Sequence, residues 1–362
     1  MLVPLAGGGQ ETLLSEVGFV LLPLFSTADA CALRLVCRVF LAAVSEHPWE
    51  DRETVIQGSI AAWRACFPYA LCANVTENTY GLEQRIAPVV DADFVHLAGL
   101  RELNMSFCTS VTPDAAFAHL RGIHTLFMNG CKQPGITDAA FVHLRGIHTL
   151  NMRFCEQTEI TDAAFAHLRG IQALDMGCCC QTGITDAAFA HLRGIRKLNM
   201  SSCNQAGVTD AAFVHLHGVH TLDMSRCRQA GITDAAFAHL HGIYSLDMSE
   251  CDQVGITDSA FVHLRGIHTL DMSYCDQPGI TDVSIAHLRG IQRLYVNELG
   301  QPALYAAARA LQLPVEEPVF LKGSRPPRAL RKVSCSLRQH IFFATRAEHK
   351  VHVPGTQTKP TL

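Results

Sequence analysis

The sequence predicts an α/β solenoid, a stack of coils with short parallel strands along one face and short helices along the other. Two observations predict it. Cys108, Cys131, Cys155, Cys179, Cys203, Cys227, Cys251 and Cys275 recur almost every 24 residues, and eight of the nine methionines, Met105 through Met272, hold a second column at the same period. Within each period the apolar spacing also switches from helical to alternating, so one unit carries one helix and one strand.

The unit Gly255 to Val283 shows the elements in order. Ala260, Phe261 and Leu264 share one helical face. Thr257 or Asp258 is placed to cap that helix by accepting a backbone N–H. Gly266 follows, where a left-handed stop is least strained for glycine. In the first unit Pro113 falls in the first helical turn, where its missing N–H does no harm. The segment His268 to Ser273 then alternates, Leu270 and Met272 inward, Thr269, Asp271 and Ser273 outward. One coil buries too little apolar surface to offset the ordering of its backbone, so stability requires stacking into a continuous parallel sheet.

The chain has 362 residues, 48% hydrophobic and 17% charged, a globular composition. A net charge of −4 gives no field suited to nucleic acid, although residues 314–362 carry a net +6. No apolar run approaches the roughly 18–20 residues of a membrane span, and the start has no signal-peptide pattern. One cysteine per coil at fixed phase reads as a packing position, so the cysteines are expected reduced and the chain intracellular, cytoplasmic or nuclear.

The run Ile267, Leu270, Met272, Cys275 followed by Ile280-Thr281-Asp282 resembles the cysteine-containing leucine-rich repeats, over residues 89–300. The resemblance implies a right-handed solenoid, strands concave and helices convex, used for protein recognition. Residues 10–52 resemble an F-box through Leu13, Glu16, Val17, Asp29, Arg34, Leu35, Val36, Cys37, Arg38, Phe40 and Trp49, with Leu14 in place of the usual proline and Ala30 in place of a leucine. That resemblance implies docking to a SKP-type adaptor and its cullin through Leu13, Glu16, Val17, Leu35, Val36 and Phe40. Without it, the same segment reads as a helical cap on the open end of the array, with Leu33, Val36, Cys37 and Phe40 at helical spacing. Residues 53–88 are expected to form a helical bridge, Trp63, Phe67 and Tyr69 packing between the modules. Residues 301–362 read as a cap helix over Ala303–Leu313 and then a flexible basic tail. The near-verbatim GITDAAFAHLRG units are similar to expanded repeat families of large DNA viruses that infect amoebae; such a chain would act in its host.

Chemistry is sparse. The histidines from His96 to His287, one per coil, read as packing at the flank of the helical face, where each can hydrogen-bond the neighbouring coil. Cys178-Cys179-Cys180 cannot all point at one ion. No Ser/His/Asp set or glycine-rich phosphate loop appears, so no enzyme, metal or cofactor is expected. The outward strand positions form an acidic, hydroxyl-rich strip suited to a basic partner segment. Candidate partner-binding residues are Asp175, Asp223, Asp247, Asp271 and Tyr295 within or closing that column, with Phe127, Arg153, Phe154, Arg226 and Tyr274 as departures from the template toward interface-rich types. Together these predict a substrate receptor of a cullin-RING ubiquitin ligase. The other reading is a plain interaction scaffold with no ubiquitin role. Neither nucleic acid nor membrane is an expected partner.

Overall fold

The structure, a computed structural model, describes residues 21–36, 38–77, 88–110, 114–298 and 300–316. Among these, eleven strands form one sheet in simple chain order. All neighbours are parallel and pair residue for residue, as in Leu198↔Leu222↔Leu246. The sheet is wider than the repeat suggested. It starts at Cys72–Asn74, inside the segment expected to be helical, and ends at Val315–Glu316, beyond residue 300. These flanking strands pair with Glu102–Asn104 and Arg293–Tyr295, whose outer backbone groups would otherwise form bare edges.

Each coil's helix is shorter than its apolar spacing implied. One α-helical turn, Asp258–Phe261, passes directly into a 3-10 turn, Val262–Leu264. The first two coils are 3-10 throughout, Asp91–Leu97 and Asp114–Leu120. A 24-residue period that also holds a strand and two turns leaves room for little more. Thr257, not Asp258, is the cap, its hydroxyl accepting from the Ser259 N–H at 3.3 Å. Gly266 makes the left-handed stop at φ 81°.

A single apolar core runs from Ile56 to Leu313. Phe213, Leu222, Met224 and Cys227 are buried together in one coil, and their counterparts repeat this in the next. Polar links cross the same interface. The freed Asp side chain bonds the following coil: Thr233 donates its backbone N–H and its hydroxyl to the two oxygens of Asp210, each at 2.7 Å. The same pair recurs from Asp114–Thr137 to Asp258–Thr281. From Cys131 to Cys275 each column cysteine donates to a methionine carbonyl one coil back, Cys203 to Met176 at 3.0 Å, while Cys108 donates to the Val75 carbonyl. Burial pushes the Cys131 thiol up to about 12, so it stays protonated and donates. Among the described residues no two cysteines are joined in a disulfide, consistent with a packing role.

The amino-terminal part has its own small core of Leu22, Ala30, Val44, Trp49, Phe67 and Ala70. Helices α1 (Thr27–Leu33) and α2 (Arg38–Glu46) precede α3 (Ile60–Cys66). Ser26 and Asp29 form a capping box on α1. Trp49 donates its indole N–H to the Val44 carbonyl at 2.8 Å. Of the expected bridging aromatics, Trp63 touches both cores and Phe67 lies wholly in the amino-terminal one, whereas Tyr69 is exposed. The helical spacing expected from Leu33 to Phe40 is also corrected. Helix α1 ends at Leu33, the chain turns, and Val36 is left in solvent. The cap helix is present as Pro302–Ala310, with Leu304 and Ala308 buried. The basic tail beyond residue 316 lies outside the described residues. Among the described residues no helix is long and apolar enough to cross a membrane.

Because Asp210 receives two hydrogen bonds on a charged acceptor, Asp210→Ala is expected to lower stability by about 1.5–3 kcal/mol. Urea unfolding followed by circular dichroism measures it, and Cys31→Ala at an exposed position serves as the neutral comparison.

Candidate interaction face

The in-register pairing of parallel strands turns the outward strand residues into straight columns. Asp175, Asn199, Asp223, Asp247 and Asp271 occupy successive positions of one such column. They sit one strand apart, roughly 4.8 Å. Phe127 precedes them, and Tyr295 and then Glu316 follow in the same row.

The side chains of this acidic, hydroxyl-rich column are engaged by their own backbone. Each Asp or Asn turns its Oδ1 back on its own chain and accepts the N–H two residues on. Asp223 takes it from Ser225 at 3.0 Å and Asn199 from Ser201 at 2.8 Å. Ser225 and Ser249 add their hydroxyls at 2.7 and 2.6 Å. Asp and Asn therefore interchange along the column because either supplies the turn-forming oxygen, and only the charge varies. Asp175 is fully buried beneath its neighbours; Asp223, Asp247 and Asp271 are half-buried. Burial pushes the Asp223 carboxyl up to about 7, the negative Asp247 beside it adding to the rise, while the Ser225 hydrogen bonds and Arg153 pull it down.

Arg153 is likewise engaged by the fold. It is buried, with 8% of its surface exposed, and spans two coils to donate to Ser201 Oγ at 3.3 Å. Its guanidinium also lies 4.0 Å from Asp175 and over the Phe154 ring, 5.1 Å from the centroid. The route is open because the intervening coil carries Gly177. A Cβ there would stand 2.8 Å from Arg153 Nη1. The glycine and the arginine are two halves of one feature, 24 residues apart, and a periodic reading records them as separate departures.

Phe154, Arg226 and Tyr274 share a column with Phe107, Cys178, Ser202 and Glu250, and all seven have φ between 57° and 61°. This is the left-handed region, which side chains other than glycine and asparagine rarely enter. The turn after the strand imposes it, and the side chains there are half-buried at the rim of the sheet face. Arg226 reaches Glu250 of the next coil at 2.7 Å. Burial and a hydrogen bond to Glu316 on the last strand raise the Tyr295 phenol to about 12. The structure thus brings the candidate residues onto one face as three neighbouring columns, Arg153 lying in the middle one, with several already engaged by the fold.

The helical histidines lie on the opposite side, and those from His143 to His239 bond a neighbouring coil: Arg145 Nε donates to His167 Nδ1 at 3.3 Å. A buried glutamine column went unremarked in the sequence. Gln157, Gln181 and Gln205 each donate to the preceding coil's cysteine carbonyl at 2.7–2.8 Å. Their strict period was the available signal. At the amino terminus Leu35 is 88% exposed, Val36 66% exposed and Phe40 half-buried. Leu13, Glu16 and Val17 lie outside the described residues.

No family model and no curated protein matches the chain. Solved structures do. A chain in the crystal structure of a TLR13–ssRNA13 complex superposes with a TM-score of 0.53 at 17% identity, over 66% of this chain and 33% of that one. This chain therefore spans about a third of that chain's length. The yeast Rad7–Elc1 complex gives 0.42 at 14% identity, over 88% and 90% of the two chains. The Toll–Spatzle complex of Drosophila gives 0.34 at 14% identity, over 67% and 42%. The first of these likenesses agrees with the leucine-rich-repeat solenoid built above, and at such identity it speaks to fold alone.

Two outcomes follow from the face. Gly177→Ala is expected to cost about 1–2 kcal/mol by crowding Arg153 and the Ser201 hydroxyl, and to cost less in an Arg153→Ala background; equal costs in both backgrounds would contradict the pairing. A carboxyl whose folded pKa is raised binds its proton more tightly in the native state. Its contribution is complete below the unfolded value near 4 and is lost as pH rises through about 7. Urea midpoints of the wild-type chain are therefore expected to fall between pH 5 and pH 8, and those of Asp223→Asn to fall less.

Proposed function

We propose that the chain is a protein-binding substrate receptor of a cullin-RING ubiquitin ligase. The amino-terminal module docks a SKP-type adaptor, and the sheet face with its left-handed rim holds a target protein. The observation that supports this most is the exposure of Leu35 and Val36, two adjacent apolar residues on the turn between α1 and α2. Leu24 is likewise exposed, while Trp49 and Val44 close the core behind them. Apolar side chains gathered outside a completed core are the mark of a surface that meets a partner. On this reading the chain acts by binding and not by catalysis, uses no cofactor, and works inside the cell, that of the host if the chain is viral.

The target-binding part falls to residues the fold leaves reachable. Phe127, Phe154, Arg226 and Tyr274 are half-buried, aromatic or arginine, and spread along the face from the strand Thr125–Phe127 to the turn after Thr269–Asp271. Such residues dominate the energetics of interfaces. Asp247 and Asp271 flank them with negative charge. Arg153 and Asp175 hold the face in shape beneath.

The test uses the purified full chain and a purified SKP-type adaptor. Binding is expected for the wild type, and at least tenfold weaker binding for the double variant Leu35→Asp, Val36→Asp, with an unchanged circular dichroism spectrum. No adaptor binding by the wild type, or binding unaffected by the double variant, would leave the plain interaction scaffold as the function.

A further inference from the structure

The helix-side edge of the array carries an arginine column with one interruption. In most coils the residue before the glycine stop is arginine, as at Arg193 and Arg265; in two consecutive coils it is His217 and His241. Where arginine is present it serves as a donor. Arg193 Nε bonds His215 Nδ1 of the next coil at 3.3 Å, and three earlier coils do the same. The replacement puts two imidazoles where a guanidinium and an imidazole would be. His217 Nε2 and His239 Nδ1 lie 3.3 Å apart, the rings edge to face with centroids 5.1 Å apart. His241 and His263 repeat the arrangement one coil on, at 5.1 Å and 80°.

An arginine offers only N–H groups, whereas a neutral imidazole offers a lone pair on one nitrogen. Two nitrogens about 2.0–2.1 Å from one zinc ion at the tetrahedral angle are about 3.3 Å apart, the separation already present between His217 and His239. His217 and His241 are exposed, and His239 and His263 half-buried, so an ion from solvent reaches them. The backbone carrying each ring belongs to the stacked array, which holds the pairs in place without the ion.

We propose that His217 with His239, and His241 with His263, form two adjacent sites for divalent transition metals of the zinc, nickel and copper class. Each site takes two ligands from the protein. Among the described residues no group of three His, Cys, Asp or Glu is placed to hold an ion, so water completes the coordination. In the metal-free pair one facing nitrogen carries a proton and donates it to the other. Binding moves that proton to the far nitrogen of the same ring, which leaves both facing lone pairs on the metal and releases no proton from the neutral pair. The order of affinity follows the general one for such ligands, copper above nickel and zinc.

The template supplies conservative variants, because His217→Arg and His241→Arg restore the residue that neighbouring coils carry. Zinc binding is measured by equilibrium dialysis at pH 7.5 on the full chain without a polyhistidine tag. Each single variant is expected to lose one bound equivalent relative to the wild type, and the double variant two, with circular dichroism unchanged. Counting differences removes the contribution of every other histidine. A double variant that binds as much zinc as the wild type, or a wild type that binds none, would overturn the proposal.

Discussion

No coil of this chain closes its own core. Phe213, Leu222, Met224 and Cys227 are buried only because the coils on either side supply the other half of their surroundings. Everything else depends on that requirement. It forces the strands parallel and in register, since any shift of one residue would send Leu and Met outward and Asp and Ser inward. The polar links follow the same spacing. The Asp–Thr pairs, the cysteine thiols and the amides of Gln157, Gln181 and Gln205 reach one coil away and give buried polar groups their partners.

The same constraint shapes the surfaces. Register turns single residues into columns, so a change at one position is always set against near-identical neighbours. On the sheet face this gives a row of Asp and Asn whose first duty is to form the turn after the strand. Charge enters as a secondary property of the residue that makes the turn, and crowding raises its cost at Asp223. On the opposite edge the column of arginines becomes a pair of histidine couples by two substitutions. Binding properties in such an array arise by local departures that the stack tolerates.

Most of the array was legible in the sequence because periodicity reports which positions face the same way. The Phe, Leu, Met and Cys columns, the glycine stops and the outward Asp positions all lie where their spacing put them. What was not legible depends on a second partner. Spacing cannot say that the Asp column bends onto its own backbone, nor that Arg153 crosses a coil made passable by Gly177. At the ends there is no column to consult. The strands Cys72–Asn74 and Val315–Glu316 continue the sheet with residues that carry no repeat signature, and Val36 leaves the helical face because α1 stops before it.

If stacking in register is what holds the molecule together, the array should accept the removal of one whole coil and reject the removal of half of one. The direct measurement compares urea unfolding of the full chain with two internal deletions, one of residues 207–230 and one of residues 207–218. The 24-residue deletion is expected to keep the β-containing circular dichroism spectrum and a cooperative transition at somewhat lower urea, the 12-residue deletion to lose both. Equal damage from the two deletions would contradict the account.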